Sequence, residues 1–431
     1  MPVESLYEIF SQCSEITIDS RKCPKDALFF AIKGDRFDGN QFAMDALQNG
    51  CRYAVIDNPA FALDDRFVLV QDTLLALQQL ANYHRRVLNI PVIAVTGTNG
   101  KTTTKELLAA VLSKEFNTLY TQGNLNNHIG VPLTLLKLTL NHQIAIIEMG
   151  ANHPGEIALL AEIAAPDYGI ITNIGKAHLE GFGSFEGVIQ AKGELYDYIR
   201  KHNGSIFLHV DNPILKQIAG DAHIIGYSTQ GTLPALVQVE STGDVPFLSV
   251  TWKKADTDVI HHINTHLVGN YNLENVAAAV CAGTFLGIPA STINSAIEAY
   301  TPSNLRSQWQ DTPHNHLIVD AYNANPSSMK AAIENLISMD NAPKGVILAD
   351  MLELGKFAIN EHASVVNTLK NSDLDLVFLV GPQFAQTKAP FTTFESTDQL
   401  IAFLQEHPVK GFTLLVKGSH GMHLENCLSY L

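Results

Sequence analysis

The stretch Ile90-Pro91-Val92-Ile93-Ala94-Val95-Thr96-Gly97-Thr98-Asn99-Gly100-Lys101-Thr102-Thr103 decides how the chain is read. Ile90 to Val95 is apolar throughout, the pattern of a strand buried on both faces of a parallel sheet. Two glycines among small polar residues follow. Then Leu107, Leu108, Val111 and Leu112 recur at helical spacing. A strand, a glycine-bearing loop and a helix in that order make a phosphate-binding loop. Its glycines let backbone amides approach phosphate oxygens, and the helix N-terminus adds partial positive charge. Lys101 is placed to reach the outer phosphates, and the Thr102 hydroxyl to hold Mg²⁺. The spacing is a shortened Gly-x-x-Gly-Lys-Thr, because position 95 is Val. The alternative is a glycine turn that only caps a helix.

Outward from this loop, short apolar runs alternate with helical patterns, the mark of α/β architecture. The 431 residues exceed a single core of about 250–300 residues, so several domains are expected. Three are read: 1–88, a smaller N-terminal α/β unit; 89–302, a central parallel-sheet domain carrying the loop; and 303–431, a C-terminal Rossmann-like domain. Strands are expected at 27–32 and 53–56, at 90–95, 144–147 and 168–171, and at 317–319, 346–348, 376–379 and 413–416. A helix is expected over 74–88 and a β excursion over 231–266. Charged residues make up 16 % and hydrophobic ones 46 %, which suits packed cores rather than disorder. The net charge of −15 argues against a nucleic-acid partner. A phosphorylated small molecule remains compatible, since it needs only a local amide-lined pocket. Five scattered cysteines without a Cys-x-x-Cys pair predict reduced, buried thiols. The N-terminus shows no signal-peptide pattern, and the apolar stretch 276–290 is too short for a bilayer and reads as a buried helix. A cytoplasmic monomer with no membrane partner is expected.

Polar residues recur at strand ends. Glu148 follows the apolar run 144–147, and a carboxylate at the carboxyl end of a strand suits Mg²⁺ beside a nucleotide. A helix-capping or salt-bridged Glu is the other reading. His178 stands beyond the run 168–171, as a ligand or as a structural histidine. Lys192, beside Glu194, reads by spacing alone as a lysine on a charged helix face. Asp320, Asp350, Glu353 and Lys417 follow strands near the C-terminus, each explicable as a cap or turn. Asn325 with Pro326 has the form of a helix N-cap and first helical residue.

Together these segments resemble the muramyl ligases of peptidoglycan synthesis, over nearly the whole chain. The shortened loop, Glu148, Asn173 to His178, Ala191-Lys192 and Gly269-Asn270-Tyr271-Asn272-Leu273-Glu274-Asn275 come in that family's order. Asp320-Ala321-Tyr322-Asn323-Ala324-Asn325-Pro326, Asp350 to Gly355, Val416-Lys417-Gly418-Ser419 and Gly123 to Pro132 look most like the branch that adds D-alanyl-D-alanine to a UDP-N-acetylmuramoyl-tripeptide. The resemblance implies an ATP-dependent ligase acting through an acyl phosphate. Gly97, Thr98, Asn99, Gly100, Lys101, Thr102 and Thr103 would hold ATP. Asn272 and Asn275 would flank its adenine, and Arg306 and Asp320 would reach it from the C-terminal domain. Two Mg²⁺ ions would be held by Thr102, Glu148, His178 and Lys192, the last as a carbamate; Lys101, Lys192, His178 and Glu148 form the catalytic set. Ser20 and Arg21 would grip the UDP end, while Asn124, Asn126, Asn127, Tyr322, Asn323, Asn325 and Lys417 would face substrate. The rivals are another ligase of the superfamily and a nucleotide-binding switch without ligase activity.

Overall fold

Val92–Thr96 lies inside a nine-stranded sheet, with all five of its residues buried. The computed structural model describes residues 1–34, 37–243, 245–339 and 343–431. The parallel neighbours of Val92–Thr96 are Ile144–Glu148 and Tyr168–Ile171, with Val95 opposite Glu148 and Thr96 opposite Ile171. From Val92–Thr96 the chain makes the edge strand Thr118–Tyr120, returns to Ile144–Glu148, and then crosses to Tyr168–Ile171. Strand order therefore reverses at Val92–Thr96, and the crevice beyond the carboxyl ends at such a reversal is where open α/β sheets bind ligands. Ser205–His209 and His223–Ser228 extend the sheet in parallel. The expected β excursion is a meander of Val237–Gly243, Phe247–Lys254 and His261–Val268, the last two pairings antiparallel.

Helices Lys101–Leu112 and Leu273–Phe285 cover one face, burying Leu107, Leu108 and Val111 with Val276, Val280 and Cys281. Thr73–Leu88, Glu156–Ala164 and Phe185–Lys201 cover the other with Leu77, Leu80, Leu160, Leu195 and Ile199. That second core runs on into Leu28, Phe30 and Val55 of the first sheet. Thr73–Leu88 thus packs into a core shared by two sheets.

The first sheet is parallel, in the order Ile16–Thr17, Leu28–Phe30, Tyr53–Ile56, Phe67–Leu69. The C-terminal sheet runs Gln308–Asp311, His316–Asp320, Thr413–Lys417, Lys344–Ala349, Leu376–Val380, Thr392–Phe394. Only its first pair is antiparallel; the rest is a Rossmann-like parallel sheet with a core on each face. The three-domain α/β expectation is met. Two expectations need correction. The apolar stretch 276–290 is not one helix: Leu273–Phe285 ends, Gly287 turns the chain at φ +80°, and Ala290–Glu298 begins anew. All five cysteines are free, but only Cys51, Cys281 and Cys427 are buried; Cys13 and Cys23 are half-buried. Among the described residues no helix is long and apolar enough to cross a membrane.

Candidate active site

The phosphate loop is built to leave no room for side chains. A Cβ on Gly97 would lie 2.0 Å from Thr172 Oγ1, and one on Gly100, at φ +77°, 2.4 Å from Asn275 Oδ1. The loop rests on the segment after Tyr168–Ile171. Thr98 N donates to Asn173 O at 2.9 Å, Asn99 N to Asn173 Oδ1 at 3.0 Å, and Gly175 N to Thr98 Oγ1 at 2.9 Å. These bonds fix the loop so that its shape precedes any ligand. Lys101 Nζ folds back on the carbonyls of Gly97 and Thr98 at 2.7 and 3.0 Å. Burial lowers its pKa to about 8, with Glu148 opposing and Arg306 adding to the shift.

This loop lines a cavity of about 850 Å³. Glu148 joins it from the neighbouring strand, 2 % exposed. Its Oε1 accepts from Asn126 Nδ2 at 2.8 Å, while Oε2 is buried with no hydrogen-bond partner among the described residues. Such an orphaned carboxylate oxygen, with the Thr102 hydroxyl lining the same cavity, is the kind of oxygen donor a hard divalent cation takes. Among the described residues no three His, Cys, Asp or Glu side chains cluster as a ready metal cage. His178 lines the cavity too, with its backbone in the left-handed region, and its Nδ1 sits against the Glu353 carboxylate from the loop after strand Lys344–Ala349. Lys192 does not line the cavity, nor is it the surface lysine its spacing suggested. It is 2 % exposed, with Nζ 5.4 Å from the Phe182 ring centroid. Burial first and Lys101 second lower its pKa to about 7, against Glu156 and Glu194.

The opposite wall comes from the C-terminal sheet. Asp320 and Lys417 end adjacent strands in register, joined Nζ–Oδ2 at 2.5 Å, and Lys417 also donates to Asn323 O at 3.2 Å. Arg306 stacks 3.9 Å from the Tyr322 ring centroid. Leu305 and Ser307, on either side of Arg306, both take positive φ, strained backbone of the kind that gathers at functional sites. Asn325 caps the helix Pro326–Ser338 as expected, through Ser328 N at 2.9 Å, and its Nδ2 donates to Asn99 Oδ1 at 2.7 Å. That bond ties the phosphate loop to the far wall.

The cavity therefore gathers residues 98–103 of the loop with Asn124, Asn126, Asn127, Glu148, His178, Asn272, Asn275, Arg306, Asp320, Tyr322, Asn323, Asn325 and Lys417. Several serve the protein as well as the cavity. Asn127 Oδ1 caps the turn at Ile129 and Gly130, and Asn126 steadies Glu148. Gly97, the first residue of the loop, is outside the lining. Ser20 and Arg21 lie outside it too: Arg21 is 87 % exposed and pairs with Asp19 at 2.8 Å, and Ser20 O accepts from Asn49 Nδ2 at 2.9 Å. Sequence reasoning did not single out Asn152, Glu156, Ser307, Ser327 or Ser328, which also line the cavity. Ser328 alone left a local signal, as the third residue of a capped helix.

Three family descriptions match the chain: "Mur ligase family, catalytic domain" over 12–94, "Mur ligase middle domain" over 95–283 and "Mur ligase, glutamate ligase domain" over 305–420. A Bacillus subtilis (strain 168) relative, the UDP-N-acetylmuramoyl-tripeptide–D-alanyl-D-alanine ligase, is 33 % identical, covering 96 % of this chain and 92 % of its own. A crystal structure of MurF from Acinetobacter baumannii superposes with a TM-score of 0.87 at 30 % identity, covering 99 % of this chain and 97 % of its own. MurF from Thermotoga maritima, solved in complex with ADP, has a TM-score of 0.87 at 25 % identity, covering 98 % and 97 %. The chain belongs to the Mur ligase family.

Proposed function

We propose that this protein is the ATP-dependent ligase that joins D-alanyl-D-alanine to UDP-N-acetylmuramoyl-tripeptide, in the cytoplasmic synthesis of peptidoglycan precursor. The observation that carries the reading is one cavity walled by the phosphate loop on one side and the Asp320–Lys417 strand ends on the other. A ligase that couples ATP to amide formation needs that juxtaposition of nucleotide and acceptor.

A free carboxylate does not condense with an amine in water. The tripeptide carboxylate takes the γ-phosphoryl group of ATP, giving an acyl phosphate and ADP. The dipeptide amine then attacks the acyl carbon, phosphate leaves, and the amine gives up a proton. Phosphoryl transfer is catalysed mainly by position and charge. Loop amides and Lys101 offset the charge of the phosphates, and Arg306 approaches from the far wall. Thr102 and Glu148 would hold Mg²⁺, with His178 once freed from Glu353. The ion would neutralise phosphate charge. The burial of Lys192 supports a carbamate there, because CO₂ condenses with a neutral amine. Ser20 and Arg21 would hold the UDP end, the domains dividing as 1–88, 89–302 and 303–431. The bond between Asn325 and Asn99 supports a nucleotide shielded from water by the C-terminal domain.

Phosphate release is the test, with ATP, the UDP-muramoyl tripeptide and D-alanyl-D-alanine each omitted in turn. Release that needs all three supports the reading. Release indifferent to the dipeptide removes it.

A further inference from the structure

Lys105 is a buried charged side chain that the chemistry above does not use. It sits one turn beyond Lys101 on the helix Lys101–Leu112, at 0 % exposure. An ammonium taken out of water is costly unless it is bonded. Its Nζ donates to Thr121 O at 2.8 Å and pairs with Glu106 Oε1 at 2.8 Å, with the Tyr120 ring centroid 5.8 Å away. Glu106 is the next residue along the helix. The bond to Thr121 instead leaves the helix for the edge of the sheet, 16 positions on.

Thr121 stands where the edge strand stops pairing. Thr118–Tyr120 runs parallel to Ile144–Glu148, and the last partners are Tyr120 and Ile146. Thr121 N still donates to Ile146 O at 3.0 Å. In a parallel ladder that bond is answered by one from two residues further along the neighbour, here from Glu148 N to Thr121 O. The acceptor is exchanged. Lys105 takes the carbonyl, and Glu148 N donates to Thr121 Oγ1 at 3.0 Å. The ladder ends there, and the chain leaves the sheet to bring Asn124, Asn126 and Asn127 to the cavity. It returns to the end of Ile144–Glu148 at two points. Asn126 Nδ2 donates to Glu148 Oε1 at 2.8 Å, and Gly150 N donates to Asn126 O at 2.8 Å.

We propose that Lys105 is a positioning residue for ligation: by holding Thr121 O it ends the strand pairing and sets the segment 122–127 against Glu148. The inference rests on the reading of Glu148 as part of the ligation site. The main chain of Glu148 is fixed through the Thr121 hydroxyl and its Oε1 through Asn126, which leaves Oε2 the one oxygen without a hydrogen-bond partner among the described residues. Both supports spring from the exchange at Thr121. An unbranched apolar side chain would fill the space of Lys105. It has no N–H to donate, so it could not take the carbonyl from the ladder.

Lys105→Met and Thr121→Val test this in the full-length protein. The readouts are amide hydrogen exchange and, with ADP present, the binding of Mn²⁺ as a paramagnetic stand-in for Mg²⁺. In Lys105→Met the amides of 122–127 should exchange about tenfold faster while those of the helix Lys101–Leu112 hold their rates. Mn²⁺ should bind about tenfold more weakly. Thr121→Val, which removes only the hydroxyl, should weaken Mn²⁺ to a similar extent. The double variant should lose little more than either, because the two side chains act in one chain of contacts. Wild-type exchange and Mn²⁺ affinity in a folded Lys105→Met protein, even one that melts lower, would reduce the lysine to a stitch between helix and strand and overturn the proposal. Fully additive losses would overturn it too. If Lys105→Met does not fold, Thr121→Val decides alone, and an unchanged Mn²⁺ affinity refutes the proposal. If wild type with ADP binds no Mn²⁺, the cation reading of Glu148 falls and the exchange rates alone decide for Lys105. Neither readout involves turnover, so phosphate release indifferent to the dipeptide would remove the ligase reading and leave this result standing.

Discussion

Gly100→Ala and Gly155→Ala form a matched pair of substitutions. The two glycines have nearly the same left-handed backbone, φ +77° and φ +85°, and each precedes a helix. An alanine in that conformation costs about 1–2 kcal/mol from backbone strain alone. At Gly155 a new Cβ meets nothing within 4 Å, so strain is the whole cost. At Gly100 it would lie 2.4 Å from Asn275 Oδ1, which must move. That oxygen accepts from Thr104 Oγ1 at 3.0 Å, and Thr104 is fully buried, so the shift strands a hydroxyl. A buried unsatisfied hydroxyl costs about 1–3 kcal/mol. The difference between the variants should be about 2 kcal/mol, or roughly 4–8 °C in melting temperature for a domain of this size. Differential scanning calorimetry of the two proteins side by side measures it. In an Asn275→Ala background the excess cost of Gly100→Ala should largely vanish, because contacting residues are not additive. Equal melting shifts for the two glycine variants would falsify the account of the loop as a shape held by its neighbours.

Other outcomes follow from the same geometry. Lys101→Ala should abolish ligation while circular dichroism and melting stay near wild type, since its ammonium bonds only loop carbonyls; normal turnover in the folded variant would remove the phosphate-loop assignment. Arg21→Ala should raise KM for the UDP substrate far more than for ATP, because Arg21 is exposed and remote from the cavity; equal effects on both would count against a UDP role for that segment. Lys192→Ala should lose activity and regain part of it with added acetate or formate, which can stand in for a carbamate; normal activity without additive sinks that role. A chelator should stop phosphate release and Mg²⁺ restore it, and release that persists would leave the orphaned Glu148 oxygen unexplained.

What the sequence disclosed and what it hid divide along a physical line. The strand–loop–helix at 90–112, the Asn325 cap and the strand-end carboxylates are local patterns, set by side-chain periodicity and by backbone groups a few residues away, so they could be read. The bond from Asn325 to Asn99 spans 226 positions, and the support of the loop by Thr172 and Asn173 spans 73 and 74; no local pattern encodes such pairings. Edge strands of two or three residues, such as Ile16–Thr17 and Thr392–Phe394, are too short for a period to show. The positive φ of Leu305 and Ser307 left no trace, since neither residue type favours it. Lys192 is a different case, because its signal was present and overlooked. Val188, Lys192, Leu195 and Ile199 fall at i, i+4, i+7 and i+11 on the helix Phe185–Lys201, and all four are buried. On a helix that stripe faces the core. A lysine in it cannot be an ordinary member of a solvated face, even with Glu194 two residues on. The charge pair taken without the period gives a surface lysine. The period predicts a buried amine, and a buried amine must either lose its proton or find an anion. Here burial and the cation Lys101 lower the amine's pKa to about 7, against Glu156 and Glu194. That brings the neutral amine, the form able to take up CO₂, within reach near neutral pH.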